Sequence, residues 1–98
     1  MIFAEIVSST GRRLHIGCVM AAGPDWIEVS LPIRLKLEDN LGVCFLPSKI
    51  TYTVNSGWRR IDRVGLTYID GELPNNYFIG SELYEPLPAS LRKSGLSS

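Results

Sequence analysis

The feature that most constrains this chain is an alternation of apolar and polar residues with a period of two, cut at short intervals by Gly, Pro and Asn. In "IFAEIV", Ile2, Ala4 and Ile6 share one side, and Phe3, Glu5 and Val7 the other. "RLHIGCVM" sets Leu14, Ile16, Cys18 and Met20 against His15, Gly17 and Val19, and "WIEVSL" sets Ile27, Val29 and Leu31 against Trp26, Glu28 and Ser30. "IRLKLE" is the clearest case, with Ile33, Leu35 and Leu37 inward and Arg34, Lys36 and Glu38 toward water. "VCFL", "KITYTV" and "RVGLTYI" continue the pattern. A period of two is the signature of the pleated strand, and no helix-period stretch runs beyond about two turns.

The breaks fall where turn chemistry places them. "AAGPD" pairs a residue that frees φ with one that fixes it. "EDNLG" offers Asn40 and Gly42 for positive φ, Pro47 stops "VCFL", and "NSG" at residues 55–57 reads as a turn or as a loop that the strand runs past. Short strands at this spacing predict an all-β fold, a small antiparallel β-barrel. After it, "YFIGSELYEPL" reads as a further strand, or a strand with a short helical turn, packed on the barrel. A helix start is marked at Pro88, but Gly95 and the serines fray it. With 98 residues the chain suits one domain, the barrel over 1–88, with 89–98 as a flexible C-terminal tail.

Charge narrows the function. Ten basic residues balance ten acidic ones, which argues against duplex DNA as a partner, since that needs a basic face. Half of the bases nevertheless sit in two short runs, Arg12-Arg13 and Arg59-Arg60-Arg63. Cys18 and Cys44 are too few and too far apart for a disulfide scaffold and read as small buried hydrophobes. His15 is the only histidine, so neither a metal site nor a nucleophilic triad is expected, and the chain reads as a non-enzyme without a cofactor. "MIFAEIVSS" is no signal peptide, and no run approaches the roughly 20 apolar residues of a membrane helix. The expected compartment is the cytoplasm.

The layout from Leu14 to Asp70 resembles a PilZ domain, a small bacterial β-barrel. "WIEVSLPIRLKLEDN" is similar to the strand pair of that family, and "SKITYTV" with "DRVGLTYID" to its closing hairpin, ending in Val64-Gly65-Leu66-Thr67-Tyr68. The resemblance implies cyclic di-GMP signalling. The family binds that messenger through Arg-x-x-x-Arg ahead of the barrel and (Asp/Asn)-x-Ser-x-x-Gly on a strand. Guanidinium groups grip phosphates bidentately and stack on guanine. The second motif is absent here, and the only Arg-x-x-x-Arg spacing, Arg59 to Arg63, stands before the last strand. The chain therefore resembles the members that lack the motif and act as adaptors for other proteins.

The candidate ligand-binding residues are Arg12, Arg13, Trp58, Arg59, Arg60 and Arg63. They form either an anion site with Trp58 as stacking platform, or a solvated hairpin tip with Trp58 folded back on the barrel. Trp26 is either a cap on the barrel or a partner anchor. The cluster Tyr77, Phe78, Leu83, Tyr84 and Leu87 either packs on its own barrel or pairs two copies, so the chain is a monomer or a homodimer. The expected function is a regulatory adaptor that binds a protein partner and, with its motif missing, less readily a cyclic dinucleotide. The alternative is an Sm-like barrel that oligomerises and binds RNA, loosely echoed in "GRRLHIGCVMAAGPD" and "YFIGSEL".

Overall fold

A computed structural model describes residues 1–32, 36, 37, 40–46, 48–69 and 78–93. Six antiparallel strands close into a barrel: β1 (Phe3–Val7), β2 (Arg13–Ala22), β3 (Trp26–Ser30), β4 (Leu41–Phe45), β5 (Ile50–Arg59) and β6 (Arg63–Tyr68). Their order around the barrel is β1-β2-β3-β6-β5-β4. A single helical turn, α1 (Ala89–Lys93), follows. Closure gives β1, β3, β4 and β6 a neighbour on each side over most of their length, while the long strands change partner along theirs, β2 from β1 to β3 and β5 from β4 to β6, so most of the edge an open sheet carries is removed.

The interior is filled by alternate residues: Ala4 and Ile6 from β1, Ile27 and Val29 from β3, Val43 and Phe45 from β4, Val54 from β5, and Val64 and Leu66 from β6, all fully or nearly fully buried. On β2 it is the Gly17 and Val19 set that faces inward, while Ile16 and Met20 stay exposed. Gly17 pairs with buried Ala4, and a Cβ there would strike the carbonyl of Ser30 and the side chain of Val29. The barrel is too narrow at that point for any side chain. Cys18 and Cys44 are free thiols and only half-buried, on the outward face opposite Phe3 and Glu5. They are not core residues, because the inward positions beside them belong to Gly17, Val19, Val43 and Phe45.

Two breaks differ from the turn chemistry. β5 runs straight through residues 55–57, with a bulge between Ser56 and Trp58, and the hairpin turns at residues 60–62 instead. The bulge absorbs one extra residue and twists the strand without ending it. Asn40 takes the left-handed φ of 60° expected of it, whereas Gly42 is an ordinary strand residue whose Cβ would crowd Val7 and Thr51. Most of the strand expected over 33–38, together with Pro47 and Tyr77, lies outside the described residues. Lys36 and Leu37 are not in a strand, though Leu37 packs on the core and Lys36 is exposed.

The C-terminal segment packs on its own barrel. Phe78 is fully buried against Phe45, ring centroids 5.7 Å apart, and Leu83 and Tyr84 are partly buried on the same core. Ala89 to Lys93, expected as a flexible tail, is helical, and Arg92 is buried. The reason is a charge pair with a distant strand. Among the described residues no helix is long and apolar enough to cross a membrane.

Candidate functional site

The alternation of β3 sends Trp26 and Glu28 to the outside of the barrel, yet both are fully buried. Their cover is built from small residues and a second tryptophan. Glu28 pairs with Ala21 on β2 and Gly65 on β6, and Gly65 pairs with Trp58 on β5. One row across four strands therefore reads Ala21, Glu28, Gly65, Trp58. Gly65 has no side chain, so the Trp58 ring lies across it; a Cβ at 65 would fall inside that ring. From there the indole N–H of Trp58 donates to Glu28 Oε2 at 2.7 Å. Trp58 also meets Trp26 edge-on, centroids 5.6 Å apart.

Three arginines converge on the same carboxylate. Arg60 Nε lies 3.2 Å from Oε2, and Arg63 Nη1 lies 3.4 Å from Oε1. Arg92 binds in a fork, Nη2 to Oε1 at 2.8 Å and Nε to Oε2 at 3.1 Å. This two-pronged geometry is the strongest that guanidinium and carboxylate make. The Arg92 guanidinium also sits 5.1 Å from the Trp26 ring centroid, on which it stacks. Asp62 pairs with Arg63 at 3.5 Å and Glu85 with Arg92 at 2.7 Å. Three guanidinium groups thus face three carboxylates, and the cluster closes without excess charge. Burial pushes the Glu28 carboxyl up, but hydrogen bonds from Arg92, Trp58 and Arg60, with the charge of Arg92, bring it from 4.5 down to about 2. The hydrogen bond to Glu28 raises Arg92 in turn.

The residues that carry Arg92 to this place are themselves held by specific bonds. The last residues of β2 extend past β1, whose last link is the Val19 N–H to the Ile2 carbonyl. Ala22 therefore presents an open edge. Its N–H donates to the Leu83 carbonyl at 2.9 Å, and its carbonyl accepts the Glu85 N–H at 2.7 Å, in a parallel bridge with Tyr84. The Trp26 indole N–H donates to the Leu87 carbonyl at 2.6 Å. Asp25 Oδ1 accepts the Ala89 N–H at 2.8 Å.

Of the residues expected to bind a ligand, Trp58, Arg60 and Arg63 come together, and their polar groups point at Glu28. Arg59 turns the other way, donating to the Pro32 carbonyl at 2.6 Å. It lines an open groove of about 350 Å³ with Lys36, Ser56 and Trp58. Arg13 pairs with Glu5 at 3.0 Å, and Arg12 is exposed in the turn over 8–12. Both basic loops leave the same end of the barrel, since β1 and β5 run toward it and β2 and β6 away. Trp26 is neither a cap on the barrel mouth nor an open anchor. It forms a second, outer cluster with Ala21, Ala89 and Trp58. Sequence reasoning missed Glu28 and Arg92. The one available signal was an acid flanked by Ile27 and Val29 and two residues from a tryptophan, a poor place for a solvated charge. No family model, curated protein or solved structure matches the chain.

Proposed function

We propose that this protein is a non-enzymatic, PilZ-like adaptor barrel that works through contacts with another protein rather than by holding a cyclic dinucleotide. The single observation that carries the reading is the destination of the arginines. Arg60 and Arg63 donate to Glu28, an internal carboxylate, and with Asp62 on Arg63 and Glu85 on Arg92 the cluster is already balanced in charge. A phosphate diester at this position would have to displace a buried carboxylate from its donors, leaving that charge unpaired, which is costly. Trp58 is engaged in the same way and presents its N–H inward. A closed small antiparallel β-barrel is the fold class that the resemblance implies. Residues 78–83, which echo an Sm motif, form turns rather than a strand and lend the RNA-binding alternative no support.

Calorimetric titration of the full chain with cyclic di-GMP in physiological salt tests this. The expected result is no saturable heat up to about 1 mM, the weak end of specific affinity. Saturable binding that disappears in Arg60→Ala and Arg63→Ala would replace the adaptor with a nucleotide sensor.

A further inference from the structure

We propose that the outer face around Ala22, Asp25, Trp26, Glu28 and Trp58 is a recognition groove for an extended Pro-x-Pro segment with an arginine four residues after the second proline. Residues 84–92 fill it in cis, and a partner protein's segment of the same chemistry fills it in trans. The proposal rests on the adaptor reading and names its surface.

The occupant is read from what is seated there. Residues 84–88 are non-helical and read Tyr-Glu-Pro-Leu-Pro. Two prolines in three residues pre-set an extended backbone, so little entropy is lost on docking. Each contact is of a kind that peptide grooves use. The edge at Ala22 adds one bridge of strand, Tyr84. The Trp26 N–H reads the carbonyl between the two prolines. Asp25 takes the N–H that follows Pro88. Glu28 and the Trp26 face read the guanidinium of Arg92. Between these points the side chains of Pro86, Pro88 and Ser90 are exposed.

The receptor survives removal of the occupant. Without Arg92, Glu28 still receives Trp58, Arg60 and Arg63, so its carboxylate remains satisfied and aimed. Upstream, Phe78 is locked in the barrel core, so when residues 84–92 leave the interior gives up only the partly buried Tyr84. A buried charge with its own retinue of donors, and one further guanidinium brought from 64 residues away, is the arrangement of a site and its ligand.

The test follows the Trp26 and Trp58 indole N–H signals by NMR as the synthetic peptide YEPLPASLRK is added to the full chain. In Arg92→Ala the cis occupant is weakened, and both signals shift saturably. In the wild-type chain they shift only at a peptide concentration at least about tenfold higher, because the cis segment competes. The peptide carrying Arg92→Ala binds at least about tenfold more weakly, the worth of a charge-assisted pair. Ala89→Asp, which forces the segment off Trp26 without altering the barrel, gives the same ranking and serves if Arg92→Ala does not fold. A folded variant whose indole signals ignore the peptide overturns the proposal. So does equal binding of the two peptides. A concentration-dependent dimer of the wild-type chain with exchanged segments would make a second copy the occupant and overturns the partner assignment. Failure here with no nucleotide bound leaves an adaptor with a different surface; nucleotide binding sinks the adaptor reading itself.

Discussion

β3 faces two environments within five residues, and the two are held by different physics. Ile27 and Val29 enter an interior of aliphatic and aromatic side chains, while Trp26 and Glu28 enter an outer cluster of indoles and guanidinium groups. Both sets are equally dry. The interior is non-directional, so a lost methyl costs roughly its own transfer and cavity. The outer cluster is directional and charged and its donors share one acceptor, so losing Glu28 leaves the buried Arg92 without its two-pronged partner.

Truncation on either side of the strand is the largest test of that contrast. Ile27→Val is expected to cost about 1 kcal/mol. Glu28→Ala, one residue on, is expected to cost about 3–5 kcal/mol by leaving the Arg60, Arg63 and Arg92 groups without their shared acceptor. Urea melts of both variants decide it; a smaller loss at 28 than at 27 would break the comparison.

Acid provides the next test. The Glu28 carboxyl lies at about 2 in the fold against an ordinary 4.5. A depressed carboxyl stabilises the fold above its unfolded value and loses that contribution as pH falls from 4.5 toward 2. The amount is on the order of 3 kcal/mol at 1.36 kcal/mol per pH unit. Stability measured across that window should drop steeply in the wild type and far less in Glu28→Gln. Parallel curves would mean that the charge contributes nothing.

A milder change than the loss of Glu28 is Gly65→Ala, whose methyl would overlap the Trp58 ring. Overpacking of this kind costs about 1–3 kcal/mol. The specific mark is a red-shifted tryptophan emission as Trp58 leaves Glu28. Loss of stability with unchanged emission would place the strain elsewhere on β6.

What could be read from the sequence follows the same division. β1, β3 and β6 were legible because alternation is a local signal, and Val64-Gly65-Leu66 stood out as a strand. The strand through 55–57 was not, since a bulge and a turn use the same small residues. Nor was the inward face of β2, because Gly17 marks a tight interior by lacking a side chain rather than by hydrophobicity. Arg60, Arg63 and Trp58 were found as a group from their clustering. Their target gave only a weak signal, since Glu28 stands between Ile27 and Val29 much as Glu5 stands between Ala4 and Ile6. Arg92 lies 64 residues from Glu28, beyond the reach of any spacing rule.

The matched charges of the outer cluster have a consequence for kinetics. Three positive and three negative groups packed within a few ångströms of one another cast almost no field beyond a Debye length of about 8–10 Å. Molecules approaching this side of the barrel are not guided by it. Association there would proceed at the unsteered rate of about 10⁵–10⁶ M⁻¹s⁻¹ and change little with ionic strength, with selectivity residing in how long a complex lasts rather than in how often it is tried.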